Sequence, residues 1–361
     1  MRSWVMGMLG LVLGAALAAP AIAAGEAGAG VGRLHRQYVD ETRTDWAGTA
    51  PRPLAVTVWY PAAEGSQAGP WSVGIFQFGT SALDAPLAEG GNWPLIVLSH
   101  GTGGSAAQLS WLAEQLVQAG FVVAGINHHG NTGAEDQPWP QGFVLPGERA
   151  RDLGAVIDKV LAEPQLAGRI DAGRIGAAGF SIGGYSVLAA AGAWQTVDER
   201  LQRCDAQPAN PVCQLPPEAG FNREEVEALM HTEPTFLAGL KRDAQPFHEP
   251  RIRAVYSIAP AFVSLMTPEN LAGLAVPVRF VLAGKDTQIL PAETDKAIRE
   301  ALPQASVQLL DDAGHYTFLA RCHVRGRVLA SALCRDPGPL DRGEVHAQVA
   351  RDAAAFFREH L

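Results

Sequence analysis

The stretch Arg174-Ile-Gly-Ala-Ala-Gly-Phe-Ser-Ile-Gly183 runs from an apolar, strand-like segment through a glycine-flanked serine into an Ala-rich segment of helical character. Residues Gly179-Phe180-Ser181-Ile182-Gly183 are therefore a G-x-S-x-G pattern at a strand-to-helix junction. A serine lifted on so tight a turn needs glycine on both sides, because backbone passes against backbone and a Cβ would collide. Its hydroxyl then stands above the strand end, and the helix that follows begins with unpaired N–H groups that favour negative charge. Glycine is abundant, 39 of 361 residues, so roughly 0.15 such patterns arise by chance. A glycine-rich turn with a capping serine is the competing reading, and the surrounding sequence decides between the two.

Ser181 alone is a weak nucleophile; it needs an imidazole within reach and a carboxylate to hold that imidazole in the right tautomer. Downstream, the strand candidate Val278-Arg-Phe-Val-Leu-Ala283 ends in Gly284-Lys285-Asp286, and Ser306-Val-Gln-Leu-Leu310 leads through Asp311-Asp312-Ala313-Gly314 to His315. Asp286 and His315 both lie just past strand ends, where open α/β sheets place their ligand chemistry. Serine, acid, histidine is also the chain order of enzymes built on such an elbow. Asp311 and Asp312 are rival acids, but they share the histidine's own loop, so Asp286 is the expected partner.

Upstream, Trp93-Pro-Leu-Ile-Val-Leu-Ser99 reads as a buried strand entering His100-Gly101-Thr102-Gly103-Gly104-Ser105. A loop so rich in glycine lets the backbone approach a substrate carbonyl, and the N–H groups of Thr102 and Ile182 are the expected oxyanion donors. A phosphate-binding loop is disfavoured, since neither G-x-x-x-x-G-K-[ST] nor G-x-G-x-x-G with a later acid is present. His100 is expected to shape this loop rather than act as a base. His128 and His129 follow the strand Phe121-Val-Val-Ala-Gly-Ile126 and are candidates for the pocket mouth or for a structural role.

With Val58-Trp59-Tyr60-Pro61 and Ala313-Gly314-His315, these motifs resemble the serine α/β-hydrolases of the dienelactone-hydrolase and platelet-activating-factor acetylhydrolase-like group across most of the chain. The resemblance implies a serine esterase with nucleophile Ser181, acid Asp286 and base His315, needing no metal or organic cofactor. Serine stands where true dienelactone hydrolases carry cysteine, which fits carboxylic esters better than a dienelactone; the expected substrates are esters of short to medium acyl chain. A peptidase or amidase on the same triad, and a non-catalytic binding protein of the same fold, are the alternatives.

From about residue 95 onward strand and helix candidates alternate, which predicts an α/β-hydrolase fold with a mostly parallel central sheet and helices on both faces. Leu153, Val156, Ile157, Val160 and Leu161 keep helical spacing, and Ala106 to Gln118 is similar. Earlier strands, including Ala55-Val-Thr-Val-Trp59, are expected at an antiparallel edge. The segment from about 195 to 250 is too long for a plain connection and is expected to be a cap insertion. Its Phe221, Leu229, Met230, Phe236 and Leu237 are candidates to cover an acyl pocket. A second small insertion spans Cys322 to Arg342, before a closing amphipathic helix that reaches Phe357.

Arg2, the apolar run Trp4 to Ala18 and Ala21-Ile22-Ala23 form a signal-peptide pattern over residues 1–23, leaving residues 24–361 as the hydrolase domain in a periplasmic or secreted location. No later segment approaches ~20 uninterrupted apolar residues, so no stable membrane insertion is expected. The four cysteines fall as local pairs, Cys204 with Cys213 and Cys322 with Cys334; three connectivities are formally open, and short loops favour these two disulfides. The spacings lack C-x₂-C, which argues against zinc. With a net charge of −9, mixed signs and no Lys/Arg run interleaved with aromatics, nucleic acid is excluded as an expected partner, leaving a small-molecule or lipid-like ester as substrate. Nothing in the pattern fixes an oligomeric state.

Overall fold

In the computed structural model, which describes residues 30–216 and 219–361, eleven strands join in one sheet. The signal segment expected at 1–23 lies outside the described residues. Four early strands, β1 (Gly30–Thr44), β2 (Pro51–Ala62), β3 (Gly69–Val73) and β4 (Phe76–Leu83), are followed by β5 (Trp93–Ser99), β6 (Val122–Asn127), β7 (Ile170–Phe180), β8 (Ile252–Ile258), β9 (Val278–Ala283), β10 (Ser306–Leu310) and the short β11 (Arg321–Cys322). Their spatial order is β10-β9-β8-β7-β5-β6-β2-β1-β4-β11, with β3 on β4. The strands from β6 to β10 run parallel, whereas β2 is antiparallel to both β6 and β1.

Helices connect these strands: α1 (Ser110–Gln118), α2 (Pro140–Val144), α3 (Pro146–Leu161), α4 (Ile182–Ala190), α5 (Val197–Ala206), α6 (Arg223–Thr232), α7 (Pro234–Asp243), α8 (Pro268–Leu271), α9 (Pro291–Ala301), α10 (Val324–Leu329), α11 (Ser331–Cys334) and α12 (Arg342–His360). The central strands are buried on both faces, as parallel strands covered by crossover helices must be. Leu95 and Val97 of β5 and Ile175 and Ala177 of β7 pack with α3 and α4, while Ile96, Leu98, Ala178 and Phe180 pack with α1 and α12. The helix expected from Ala106 begins as a 3₁₀ turn over Ala106–Leu109. There the Ala106 N–H goes to the Asn127 side chain at 2.8 Å and the Gln108 N–H to the Ser105 carbonyl at 3.0 Å, which tightens the first turn.

Sheet order reverses at β5: the chain passes from β5 to β6 on one side and then crosses back to place β7 on the other. Such a reversal opens a crevice beyond the strands' carboxyl ends. Ser99, last in β5, pairs with Gly179, second to last in β7, so the glycine-rich loop and the serine turn leave the sheet side by side.

Between α4 and β8 lie α5, α6 and α7. Two of them start at capping boxes, Thr196 with Glu199 and Asn222 with Glu225, and α7 starts at Pro234 with Glu233 as its cap, which explains helices in so polar a segment. They are anchored through Val197, Val226, Met230 and Phe236, packed with Trp46, Val144 and Leu145. Disulfides join Cys204 to Cys213 and Cys322 to Cys334. Replacing Cys204 and Cys213 by Ser is expected to lower stability by about 2–3 kcal/mol, from the chain entropy that a short closed loop removes from the unfolded state. Urea denaturation reads this directly, and an unchanged midpoint would contradict it.

Glu114 of α1 faces the backbone N–H of Thr80 in β4, and burial pushes its carboxyl up to about 7 despite that hydrogen bond and the nearby Arg33. A folded-state value above the unfolded one means that the native protein binds this proton more tightly. Its stabilising effect is complete below about pH 4.5 and is lost as pH rises through about 7. Glu114→Gln is therefore expected to match the wild type in acid and to exceed it in melting temperature above pH 7; equal melting curves at pH 5 and pH 8 would contradict this.

Candidate active site

Ser181 sits between β7 and α4 with φ 57° and ψ −122°, a region that costs about 1–3 kcal/mol and persists only when neighbours fix it. They do so through three backbone bonds: the Ser181 N–H donates to the Ile258 carbonyl at 2.9 Å, and the Ser181 carbonyl accepts from Ala261 at 3.0 Å and Tyr185 at 3.2 Å. The flanking glycines are required by close approach. A Cβ on Gly179 would stand 2.2 Å from the Gly183 carbonyl oxygen, and one on Gly183 would stand 2.1 Å from the Ser99 oxygen. Both obstacles are backbone and cannot rotate away. Gly183→Ala is thus expected to destabilise the protein by about 3 kcal/mol or more; a melting temperature equal to that of the wild type would show that the turn can relax.

His315 follows β10 and Asp286 follows β9, and the two loops are drawn together because Gly284 lies against the backbone of Asp311, where a Cβ would meet its carbonyl oxygen at 2.6 Å. His315 Nε2 is 3.0 Å from Ser181 Oγ, and His315 Nδ1 is 2.7 Å from Asp286 Oδ2. All three residues are buried. The second carboxylate oxygen of Asp286 accepts the N–H groups of Gln288 and Ile289, each at 2.8 Å. That clamp fixes the carboxylate, the carboxylate keeps the proton on Nδ1, and Nε2 is left free to accept the serine proton. The Phe180 ring lies 4.9 Å from the imidazole and backs it. Asp311 and Asp312 are exposed, and Asp312 pairs with Lys285 at 2.7 Å.

Thr102, Ser181, Ile182 and His315 border one cavity of about 920 Å³. In the glycine-rich loop, the Gly103 N–H donates to Asn131 Oδ1 at 2.6 Å and the Gly104 N–H to the Gly101 carbonyl at 3.1 Å. Among the described residues, the N–H groups of Thr102 and Ile182 donate no hydrogen bond within the protein, so both are available to an incoming oxygen. The far wall belongs to the insertion and includes Leu201, the Cys204–Cys213 disulfide, Phe221, Val226 and Met230. Of the five apolar residues expected to cover the pocket, Phe221 and Met230 border it. Phe236 is buried where the insertion packs on Trp46, Val144 and Leu145, with Leu229 against that cluster, and Leu237 is exposed. Amphipathic helices present one face only, and sequence spacing does not say whether that face meets the cavity or the main domain.

His100 is fully buried. Its Nε2 accepts the His128 N–H at 3.1 Å and its Nδ1 donates to the Gly101 carbonyl at 2.7 Å, so it braces the loop; burial and the nearby Arg149 hold its pKa well below the usual imidazole value. His128 and His129 do not border the cavity. Buried His128 donates from Nδ1 to Asp152 at 3.0 Å and accepts the Ser99 hydroxyl at 2.9 Å, and burial pushes its pKa down to about 3. His129 lies against Trp46, whose indole N–H donates to the His129 carbonyl at 2.9 Å.

Sequence reading alone missed what lies under the loop. Asp152 of α3, with no exposed surface, accepts Arg43 at 2.7 Å, Arg52 at 2.7 and 3.0 Å, and His128. The facing guanidinium groups of Arg52 and Arg43 hold its carboxyl well below the usual range, against burial. Arg149, also on α3, donates to the His100 carbonyl and to Ser99 Oγ. A signal was present in the helix: Arg149 and Asp152 lie four residues before Leu153 and Val156, so both extend the apolar stripe into positions where a charge needs a buried partner.

Residues 96–353 match the model of the Alpha/beta hydrolase family. Over 121 residues, 33% of the chain, it is 31% identical to the bis(hydroxyethyl) terephthalate hydrolase of Streptomyces coelicolor, covering 36% of that protein. Over 133 residues, 34% of the chain, it is 32% identical to cutinase est1 of Thermobifida alba, covering 41% of it. The matched regions thus span about two fifths of these relatives' own length. A solved structure of ferulic acid esterase from Streptomyces cinnamoneus superposes with a TM-score of 0.60 over 95% of this chain and 92% of that one, at 22% identity, a likeness of fold. The family match spans most of the chain, including the serine turn, both loops that face it and the parallel strands that carry them, and on that ground the chain belongs to the alpha/beta hydrolase family.

Proposed function

We propose that the protein is an exported serine hydrolase that cleaves carboxylic esters of short to medium acyl chain, within the dienelactone-hydrolase and platelet-activating-factor acetylhydrolase-like group. The observation that carries this reading is the chain of contacts from Ser181 Oγ through His315 to Asp286, at 3.0 and 2.7 Å, opening into a cavity walled mainly by apolar side chains. His315 takes the Ser181 proton as the oxygen attacks the ester carbonyl, and the N–H groups of Ile182 and Thr102 hold the resulting oxyanion. The proton passes from His315 to the departing alcohol, leaving an acyl-serine. Water, deprotonated by His315, then releases the acid by the same steps in reverse order.

An apolar pocket suits an acyl chain or ring, and the relatives whose names specify terephthalate-ester or cutin hydrolysis agree with ester chemistry. Both disulfides suit an oxidising compartment. The test is hydrolysis of p-nitrophenyl esters from acetate to decanoate, together with labelling by a fluorophosphonate. Turnover that peaks at short or medium chains, with one labelled serine, is the expected result. Folded protein that neither turns over any ester nor takes the label would overturn the reading, and turnover of amides in preference to esters would replace it with an amidase.

A further inference from the structure

Beside the cavity the surface changes character. Between Ala313 and Arg335 the chain carries four arginines and no Asp or Glu, in a protein of net charge −9. Here β11 pairs antiparallel with β4, and α10 seats Gly326 against Ile75, so close that a Cβ would lie 2.9 Å from Ile75 Cβ. With that face of α10 occupied, its other side chains point outward: Val324, Val328 and Leu329 are 76%, 71% and 73% exposed. Val324 and Val328, four residues apart, form one strip along the helix.

Arg321, Arg325, Arg327 and Arg335 are all exposed, and among the described residues none of them pairs with a carboxylate; Arg335 Nε donates only to the Arg327 carbonyl, at 3.1 Å. Three of the four, Arg321, Arg327 and Arg335, border a separate depression of about 510 Å³. Its acids are already engaged, Asp336 by Arg342 at 3.1 Å and Asp341 by the Gly343 N–H at 2.7 Å. The Cys322–Cys334 disulfide ties the unit together. Leu333, within it, also borders the cavity that holds Ser181, as does Phe76 of β4.

We infer that this face docks the protein on an anionic lipid surface. The arginines take headgroup oxygens, with the depression receiving one headgroup, and Val324, Val328 and Leu329 enter the boundary with the acyl chains. Cationic side chains flanking a small apolar strip are what binding in the plane of such an interface requires, and unpaired arginines gain most from a dense anionic layer. Placement at the cavity's edge gives the docking a use, since an apolar molecule could pass from the lipid layer to the cavity without crossing water. The docking itself does not depend on the ester reading.

Purified full-length protein, sedimented with vesicles of phosphatidylcholine alone or mixed with phosphatidylglycerol, tests this. The expected result is binding at least about tenfold tighter to the anionic vesicles, and release at about 0.5 M NaCl. Arg325→Glu with Arg327→Glu should weaken that binding about twentyfold or more, and Val328→Ser with Leu329→Ser should weaken it severalfold. Both variants should keep the wild-type circular dichroism spectrum and unchanged hydrolysis of soluble p-nitrophenyl acetate. Protein that stays in the supernatant with both vesicles, equal binding to both, or variants that bind like the wild type would overturn the inference. So would light scattering that shows a dimer in the wild type and a monomer in either variant, since the face would then serve a second copy of the chain.

Discussion

Ser181→Ala is expected to lower kcat/KM for p-nitrophenyl butyrate by about 10⁴-fold or more while leaving the melting temperature within about one degree of the wild type. Among the described residues the hydroxyl hydrogen-bonds His315 alone, and the strained turn is fixed by backbone bonds that alanine keeps. His315→Ala should cost a comparable factor, because without Nε2 the serine proton has no acceptor. The two losses should not multiply: once the serine is absent, the imidazole has nothing to activate, so the double variant should sit close to either single one. Steady-state kinetics on the three variants decides the matter. A residual rate above roughly 1% in Ser181→Ala would remove Ser181 as nucleophile, and losses that multiply would mean that the two residues act in separate steps.

Asp152→Ala is expected to have the largest effect on stability, about 3–5 kcal/mol, because it leaves buried Arg52 and His128 without their carboxylate and Arg43 with only Asp40 and Glu148. For a chain of this size the melting temperature should fall by on the order of 10 °C. The loss measures the cost of stranding positive charge and not the net worth of the network. Asp152 also holds His128, which holds the Ser99 hydroxyl, and Ser99 leads directly into the loop that carries Thr102. The milder Asp152→Asn should therefore lower turnover more than its loss of stability explains, with ester KM little changed, since the loop N–H matters most when the oxyanion forms. Guanidinium denaturation of Asp152→Ala showing less than about 1 kcal/mol would mean that water or a nearby acid such as Glu148 takes over.

Ser99, His128 and Asp152 repeat the order of contacts seen in Ser181, His315 and Asp286, yet Ser99, His128 and Asp152 have no exposed surface, whereas Ser181, His315 and Asp286 meet at a cavity. The residue types and distances are nearly the same. Access to a cavity, and the arginines that occupy Asp152, separate the buried brace from the candidate reactive centre.

That comparison marks what could be read from the chain by itself. Local features carried the fold: apolar runs of strand length alternating with helical spacing, and a turn at Ser181 whose first glycine, Gly179, answers a clash with the carbonyl of Gly183 four residues on. They carried Ser181, Asp286 and His315 as well, because each follows a strand, and parallel strands deliver their carboxyl ends to one rim. Only the tertiary structure decided which histidines face water and which brace the core, that the apolar faces of the insertion split between cavity and packing, and that Asp152 gathers Arg43 and Arg52 from about a hundred residues away together with His128 from the preceding strand end. The reason is physical. Strand and turn propensities act over a few residues and leave their mark in the local pattern, whereas burial and charge pairing are set by whatever other segment arrives on the far side.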